Sequence, residues 1–477
     1  MNKTQHHYTG SREIGEKCAI FGVYSTKKDS SAARLICTGL WALQHRGQEA
    51  TGISVSDGNY IQTHKGPGLV AAVHTEESLD ALTGHMGIGH NRYSTFGSPF
   101  SHFQPVHSEH NLVAVAHNGN LPVVDKLHEF LKQVGRKLDD QNDSELIQEA
   151  IEYYMLKGMS VEDSIEKTFP LFTGAFSLVI LTKDKVIGVR DAFGIRPFSI
   201  GKLPDDGGYV ISSETCGLDS VNAEYVRDVK PGEMVVLDSN GLHSHQITKN
   251  AVEKLDIFEF VYFARPDSFM YGKNINEIRR EMGRQLAREQ KIEADVVIPV
   301  PNSAIPAALG YAEESGIKFD HGLIKNSYIH RTFINPSHAS RKKDVQLKLI
   351  PMREILKGKR VIVVDDSIVR GTTSKKLVTM IRKAGAREVH LLSASPKVKY
   401  PDFYGISTPT QQELIASHMT IEEICTYVGA DTVQYLSYEG LITATGLPEE
   451  KFCTSCFTGN YPIDIGEEHR KHINFNV

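Results

Sequence analysis

Two places in this 477-residue chain carry side chains arranged for chemistry. The first is Arg360–Ser374, RVIVVDDSIVRGTTS. An apolar, mostly β-branched run ends in Asp365 and Asp366, then opens into a loop with Gly371 and the hydroxyls of Thr372, Thr373 and Ser374. Such a run reads as a strand buried on both faces, and in open α/β sheets ligands bind beyond the carboxyl ends of the strands. The N–H groups of a following helix hold phosphate, a glycine lets the backbone approach closely, and two carboxylates suit a ribose diol or Mg²⁺. Together these parts describe a sugar-phosphate site. The chain has no G-x-x-x-x-G-K-[ST] loop and no G-x-G-x-x-G after a strand, so neither a P-loop nor a dinucleotide site is expected. The second place is EKCAIFGV, with Cys18 at the head of an apolar strand. Taken alone, an Asp pair is a solvated strand end and a cysteine is a small buried hydrophobe. The surrounding sequence decides both cases.

The elements that must position these groups fall into two textures. From residue 18 to about 250 the chain reads as short strands separated by glycine-rich turns: CAIFGVY, ATGISVS, NLVAVAHNG, AFSLVILT and GEMVVLD. Helical patches such as Asp143–Leu156 lie between them, which predicts layers of helix and mostly antiparallel sheet. Beyond about residue 252, ADVVIPVP and KRVIVVDD are fully apolar strands, each followed by a helix. In SKKLVTMIRKAG, Leu377, Val378 and Ile381 share a face and Gly385 stands at the C′ position. REVHLLSAS is the next strand, completing a βαβ unit. In VVIPVPNSAIPAALGYA the loop carries Asn302 and Ser303, the latter a possible N-cap.

Composition bounds the rest. Hydrophobic content of 40%, charged content of 23% and net charge of −5 are those of an ordinary globular enzyme and do not favour nucleic acid. No apolar run approaches the ~20 residues that span a bilayer. The polar start, MNKTQHHYTGSREIGEK, has no secretory h-region. Six cysteines are too few for a disulfide scaffold, so reduced thiols in the cytoplasm are expected.

VIVVDDSIVRGTTS resembles the 5-phosphoribosyl 1-pyrophosphate (PRPP) motif of type I phosphoribosyltransferases. The resemblance implies PRPP contacts from Asp365, Asp366, Ser367, Arg370, Gly371, Thr372 and Thr373, with Ser303 near the metal. It makes the basic, polar stretch HRTFINPSHASRKKDVQLKL a flap offering Arg331, Arg341, Lys342 and Lys343 to phosphates. Upstream, LWALQHRGQEATGISV, GIGHNRYSTFG, VAHNGNL and NDSELI occur in the order found in the glutaminase domain of N-terminal-nucleophile amidotransferases. That resemblance implies that residues 1–17 are a propeptide. Their removal would give Cys18 a free α-amine, of ordinary pKa near ~8, to take its own thiol proton. It assigns the oxyanion donors to the Asn118 side chain and the Gly119 N–H. Arg92 and Asp143 would bind the carboxylate and ammonium of glutamine, with Arg46 supporting them near the nucleophile. His45 and His90 read as structural. Ala19, where this family often has glycine, would bring a methyl towards the oxyanion region.

The two halves together, with FEFVYFARPDS and FYGISTPTQQELIA, resemble the glutamine PRPP amidotransferase family along nearly the whole chain. Implied are an αββα sandwich over residues 18–252, a parallel-sheet phosphoribosyltransferase domain over 253–450 and a tail over 451–477. Also implied are synthesis of 5-phosphoribosylamine at the first step of purine synthesis, Mg²⁺ dependence, a homotetramer and inhibition by purine nucleotides. Many members hold a [4Fe–4S] cluster on four cysteines. Here Asp256 and Asp402 occupy two of those positions and only Cys453 and Cys456 remain. Carboxylate substitutes poorly for thiolate, so no cluster is expected. Zinc on these four residues, or on Cys453, Cys456, His469 and His472, is an alternative donor set. Two rival readings are the same glutaminase joined to a sugar isomerase or synthetase, and a non-catalytic PRPP sensor. The PRPP motif opposes the first, and the intact Cys18, Arg92, Asn118, Gly119 and Asp143 oppose the second.

Overall fold

The structure, a computed structural model, describes residues 18–93, 102–138, 141–326, 349–405 and 410–477. The first half packs two antiparallel sheets face to face. One has seven strands in the order Glu224–Asp228, Ser199–Lys202, Gly208–Ser212, Ala19–Ser25, Met86–Arg92, Ala50–Ser56 and Ile61–Pro67. The other has six, including Ala114–Val123 beside Thr173–Leu181. Alternation of side chains along each strand produces the layers. Ile20, Ile88 and Ile211 of the first sheet meet Ala114, Ala116, Val179 and Leu181 of the second in a buried cluster between them. Ala19, Phe21 and Val23 point the opposite way, against Ile36 and Leu40 of the helix Ala32–Ala42. On the far side, Val115, Leu178 and Ile180 pack on Leu146, Ile147 and Ile151 of the helix Asp143–Leu156. The result is helix, sheet, sheet, helix. Burying each such side chain contributes roughly 1.5–3 kcal/mol.

All five strands and the helix expected from the sequence of this half are present. The Ala19 methyl differs from expectation. It faces the helix layer with Phe21 rather than the inter-sheet side where Asn118 lies, because residues 19 and 20 project from opposite faces of one strand.

In the second half, Val296–Pro299, Arg360–Asp365, Glu388–Ser393 and Thr432–Tyr435 form a parallel sheet in that order. Apolar clusters cover both faces: Ile362, Val364 and Leu392 on one, Val361, Val363 and Leu391 on the other. This accounts for the unbroken apolar runs. The helix Thr372–Lys383 buries Leu377, Val378 and Ile381 and is followed by Gly385 at φ 101°. The last residues are not a free tail: Phe452–Cys453 pairs in parallel with Leu255–Asp256. Cys453, Ile463 and Ile465 pack with Ala175 and Ile195 of the first half. Among the described residues no helix is long and apolar enough to cross a membrane.

Candidate active site

Cys18 precedes the strand Ala19–Ser25, which runs between Gly208–Ser212 and Met86–Arg92. Its Sγ lies 3.8 Å from the Tyr93 carbonyl, and its own carbonyl accepts a hydrogen bond from Arg46 Nε at 3.4 Å. Burial pushes the thiol above its ordinary value. The Tyr93 hydrogen bond, Arg92 and Arg46 oppose this, and Asp143 adds to it. The predicted groups Arg92, Asp143 and Arg46 therefore share the field of one sulfur. Burial disfavours the thiolate, so a nucleophilic role calls for a base.

Each group is held by local structure. Arg92 ends its strand and donates from Nη1 to the His102 carbonyl at 2.9 Å. Asp143 is the first residue of a helix closed by an Asn142–Glu145 capping box. Asp143 Oδ2 accepts from Leu121 N–H at 3.2 Å. Asn118 is buried on the strand Ala114–Val123, with Nδ2 3.5 Å from Ser213 Oγ. The same hydroxyl accepts from Ile20 N–H at 3.0 Å. Ser213 therefore ties Asn118 to the strand that Cys18 begins, and no sequence pattern marks it. Gly119 has φ 154°, and a Cβ there would lie 1.9 Å from the Ala175 carbonyl oxygen. Only glycine fits at this point, leaving the backbone bare beside Asn118. His90 donates from Nε2 to the His117 carbonyl at 3.1 Å, and burial lowers its pKa to about 3. His45 pairs with Glu214 at 2.8 Å.

If Asn118 is an oxyanion donor, Asn118→Ala should lower glutaminase kcat by about 10²–10³. The KM for glutamine should change little, as read from steady-state glutamate release.

Arg46 is buried and lies deeper than a substrate clamp. Its Nη1 and Nη2 donate to Glu259 at 3.0 and 2.8 Å, and Nη1 also reaches Glu214. Its Nε contact reaches the backbone carbonyl of Cys18.

In the second half the strand Arg360–Asp365 delivers Asp365 and Asp366 at its carboxyl end. Asp365 Oδ1 accepts the Asp366 N–H at 3.0 Å. Asp366 accepts hydroxyl hydrogen bonds from Ser303 and, at 2.8 Å, from Ser367. Residues 303 and 366 come from the ends of adjacent parallel strands. Gly371, at φ 70°, is the N-cap of the helix Thr372–Lys383, where a Cβ would press within 2.6 Å of Ile415. Thr372 and Thr373 open that helix, and the first N–H groups of an α-helix have no acceptor within the helix itself. Arg370 pairs with Glu413 at 3.3 Å, while its buried Nε and Nη1 have no hydrogen-bond partner among the described residues. Arg331, Arg341, Lys342 and Lys343 lie outside the described residues.

The oxygen-only set Asp365, Asp366, Ser303 and Ser367 fits Mg²⁺, which takes one or two carboxylates and completes its shell with water and substrate phosphate. Among the described residues no three His, Cys, Asp or Glu side chains gather to hold a metal. His469, of one zinc set, packs edge-on against the Phe403 ring, 4.6 Å between centroids. Asp256 and Asp402 flank a buried guanidinium instead. Arg196 Nη1 is 3.0 Å from Asp256, and Nη2 is 3.9 Å from Asp402. Cys453 and Cys456 are buried, with thiols pushed up by burial first and by the Asp256 charge second. A site that holds two carboxylates around a guanidinium, with only two thiols beside it, does not fit an iron–sulfur cluster.

Two family models match the chain, a glutamine amidotransferase domain over residues 90–220 and a phosphoribosyl transferase domain over residues 271–397. The amidophosphoribosyltransferase of Synechococcus elongatus is 45% identical over 461 residues, 96% of this chain and 93% of that protein. The glutamine PRPP amidotransferase of B. subtilis, solved in complex with ADP and GMP, superposes with a TM-score of 0.87 at 42% identity, covering 94% of this chain and 98% of that one. A structure described as the allosteric regulatory enzyme of purine biosynthesis gives a TM-score of 0.88 at 41% identity, covering 96% and 100%. With both half-sites built as above and likeness at this level over nearly the full length, the chain belongs to the amidophosphoribosyltransferase family, enzymes of the first step of purine synthesis.

Proposed function

We propose that the reaction is divided between the two sites as follows. Residues 1–17 are removed, and the α-amine of Cys18 takes the proton of its own thiol. The thiolate attacks the side-chain amide carbon of a glutamine held by Arg92 and Asp143. The oxyanion is met by Asn118 Nδ2 and Gly119 N–H, ammonia leaves, and water hydrolyses the thioester to glutamate. The ammonia nitrogen attacks C1 of PRPP and pyrophosphate departs, giving 5-phosphoribosylamine. The helix start at Thr372–Ser374 and Arg370 receive phosphate, and Asp365 and Asp366 orient the ribose side of the substrate. Asp365, Asp366 and Ser303 would hold Mg²⁺, which would supply positive charge where the pyrophosphate leaves.

The observation that carries this reading is the place of Cys18 at the head of a strand beside the one that Arg92 ends, with Arg46 Nε on its carbonyl and Arg92, Arg46 and Asp143 in its electrostatic surroundings. A second supports transfer between sites: Asn120 Nδ2 donates to the Phe403 carbonyl at 2.8 Å, and Gly405 lies against the backbone of Gly119. The second half thus closes directly on the oxyanion strand, where a dry passage would keep ammonia from being protonated. Arg196 between Asp256 and Asp402 supports a cluster-free enzyme. We further assign the glutaminase to residues 18–252, the phosphoribosyltransferase to 253–450 and the closing segment to 451–477. A cytoplasmic homotetramer inhibited by purine nucleotides, whose phosphate competes at the Gly371–Ser374 helix start, completes the reading.

Intact mass of the active enzyme should lack residues 1–17, and pyrophosphate release should require PRPP with either glutamine or ammonia. Full-length chains that hydrolyse glutamine would overturn the activation step. The α-amine acts as a base, so kcat/KM for glutamine should rise about tenfold per pH unit below its pKa and level off above ~8. A rate falling over that range would exclude this base. Metal analysis of anaerobically purified protein should find no stoichiometric iron and labile sulfide.

A further inference from the structure

Behind Asp143 lies a buried polar frame that the reaction scheme does not use. Gln104, Ser144 and His117 are all buried. Gln104 Nε2 donates to Ser144 Oγ at 3.0 Å, and Gln104 Oε1 accepts the His117 N–H at 2.7 Å. Ser144 Oγ donates to Asp143 Oδ1 at 3.3 Å and lies 3.1 Å from His117 Nδ1. A hydroxyl has one hydrogen and two lone pairs. With its hydrogen on Asp143 and one lone pair on Gln104, the other lone pair faces His117, so Nδ1 of that ring carries its hydrogen. The same Nδ1 is 3.6 Å from Asp143 Oδ2, which also accepts from Leu121 N–H at 3.2 Å. Both oxygens of Asp143 are thereby held from the protein side, while the side chain keeps 20% exposure.

The frame also touches the other groups assigned to glutamine. His117 directly precedes Asn118 on the strand Ala114–Val123, and a Cβ at Gly119 would lie 2.9 Å from His117 Nε2. Gln104 follows closely on His102, whose carbonyl holds Arg92 Nη1. The His102 ring pairs at 3.0 Å with Glu145, the capping-box partner on the helix that presents Asp143. Residues 102–104 therefore tie the cation at one end of the clamp to the carboxylate at the other.

Resting on the assignment of Arg92 and Asp143 to glutamine above, we propose that Gln104 and Ser144 are positioning residues for substrate selection. They fix the orientation of Asp143 relative to Arg92, so that an amide carrying both an α-carboxylate and an α-ammonium meets both charges at once. Selectivity is a difference of affinities, and a group held in place before binding loses less to ordering than one that must be assembled. Without the Ser144 hydroxyl, Asp143 loses its hold on Oδ1 and turns from the ammonium. An amide that lacks the ammonium is affected little.

The test compares hydrolysis of glutamine with that of glutaramate, the same amide and carboxylate without the α-amino group. Wild type should prefer glutamine by about 100-fold or more in kcat/KM. A hydrogen bond to a charged group is worth about 10–100-fold. Ser144→Ala should therefore raise KM for glutamine about tenfold with kcat within about threefold. Its kcat/KM for glutaramate should stay within about twofold of wild type, so the preference falls about tenfold. Ammonia-dependent synthesis of phosphoribosylamine reports folding. Should Ser144→Ala lose it, Ser144→Cys, close to serine in volume and a weak donor, is held to the same criteria. Asp143→Asn is the control on the assignment and should cut the preference at least as far. A preference lost in Asp143→Asn but kept in the Ser144 variant overturns the inference and leaves the assignment standing. A wild-type preference near one, or a preference that survives Asp143→Asn, refutes the assignment and the inference with it.

Discussion

Replacing Cys18 with alanine should lower glutamine-dependent synthesis by on the order of 10⁴-fold or more, because no second group in the glutaminase site can form the thioester. The described neighbours are already committed. Arg46 is bound to Glu214 and Glu259, Asn118 reaches Ser213, and His45 is paired with Glu214. Ammonia-dependent synthesis should remain within about twofold of wild type, since Asp365, Asp366 and Ser303 belong to a separate sheet more than 250 residues along the chain. The variant should also retain residues 1–17, because the thiol that attacks glutamine is the group expected to release its own extension. Steady-state rates with each nitrogen source, together with intact mass, check all three statements. Equal loss with glutamine and ammonia would mean that Cys18 acts through the fold rather than as a nucleophile.

Asp366→Asn should have the reciprocal pattern. The substitution keeps the size of the side chain and one of the two oxygens that accept from Ser303 and Ser367, and removes a charge at the strand end. Loss of a carboxylate that orients the ribose and would help hold Mg²⁺ should cost about as much as loss of an oxyanion donor, ~3–4 kcal/mol, so synthesis from both nitrogen sources should fall by about 10²–10³. Glutamine hydrolysis without PRPP should persist. A variant that loses activity with glutamine alone would place Asp366 in the transfer of nitrogen rather than in the handling of PRPP.

Much of this was legible in the chain because it depends on local signals. The unbroken apolar run before Asp365 announces a strand covered on both faces, and Ile362 and Val363 do lie in opposite clusters. The Asn142–Glu145 pair announces the helix that presents Asp143. Gly371 and Gly119 stand where a side chain would collide with Ile415 and the Ala175 carbonyl. What escaped sequence reading is long-range and polar. Arg46 meets Glu214 and Glu259 across 168 and 213 residues. Ser213 reaches Ile20 across 193. No periodicity records such pairs, since a buried glutamate looks like a surface glutamate until its partner is known. For the same reason a strand as short as Phe452–Cys453, and the closing of residues 452–465 onto the first half, could not be told from a tail. The Asp256–Arg196–Asp402 arrangement was half visible: the aspartates marked what was missing, while the arginine between them had no signature.

The central claim is that nitrogen freed at Cys18 reaches the PRPP carbon inside one molecule. Turnover of glutamine labelled with ¹⁵N in its side-chain amide, in the presence of excess unlabelled ammonium, tests it directly by the isotopic composition of the phosphoribosylamine. The product should carry the label of the glutamine largely undiluted. A product whose label matches that of the mixed ammonium pool would show that the nitrogen escapes to solvent, and the account would fail.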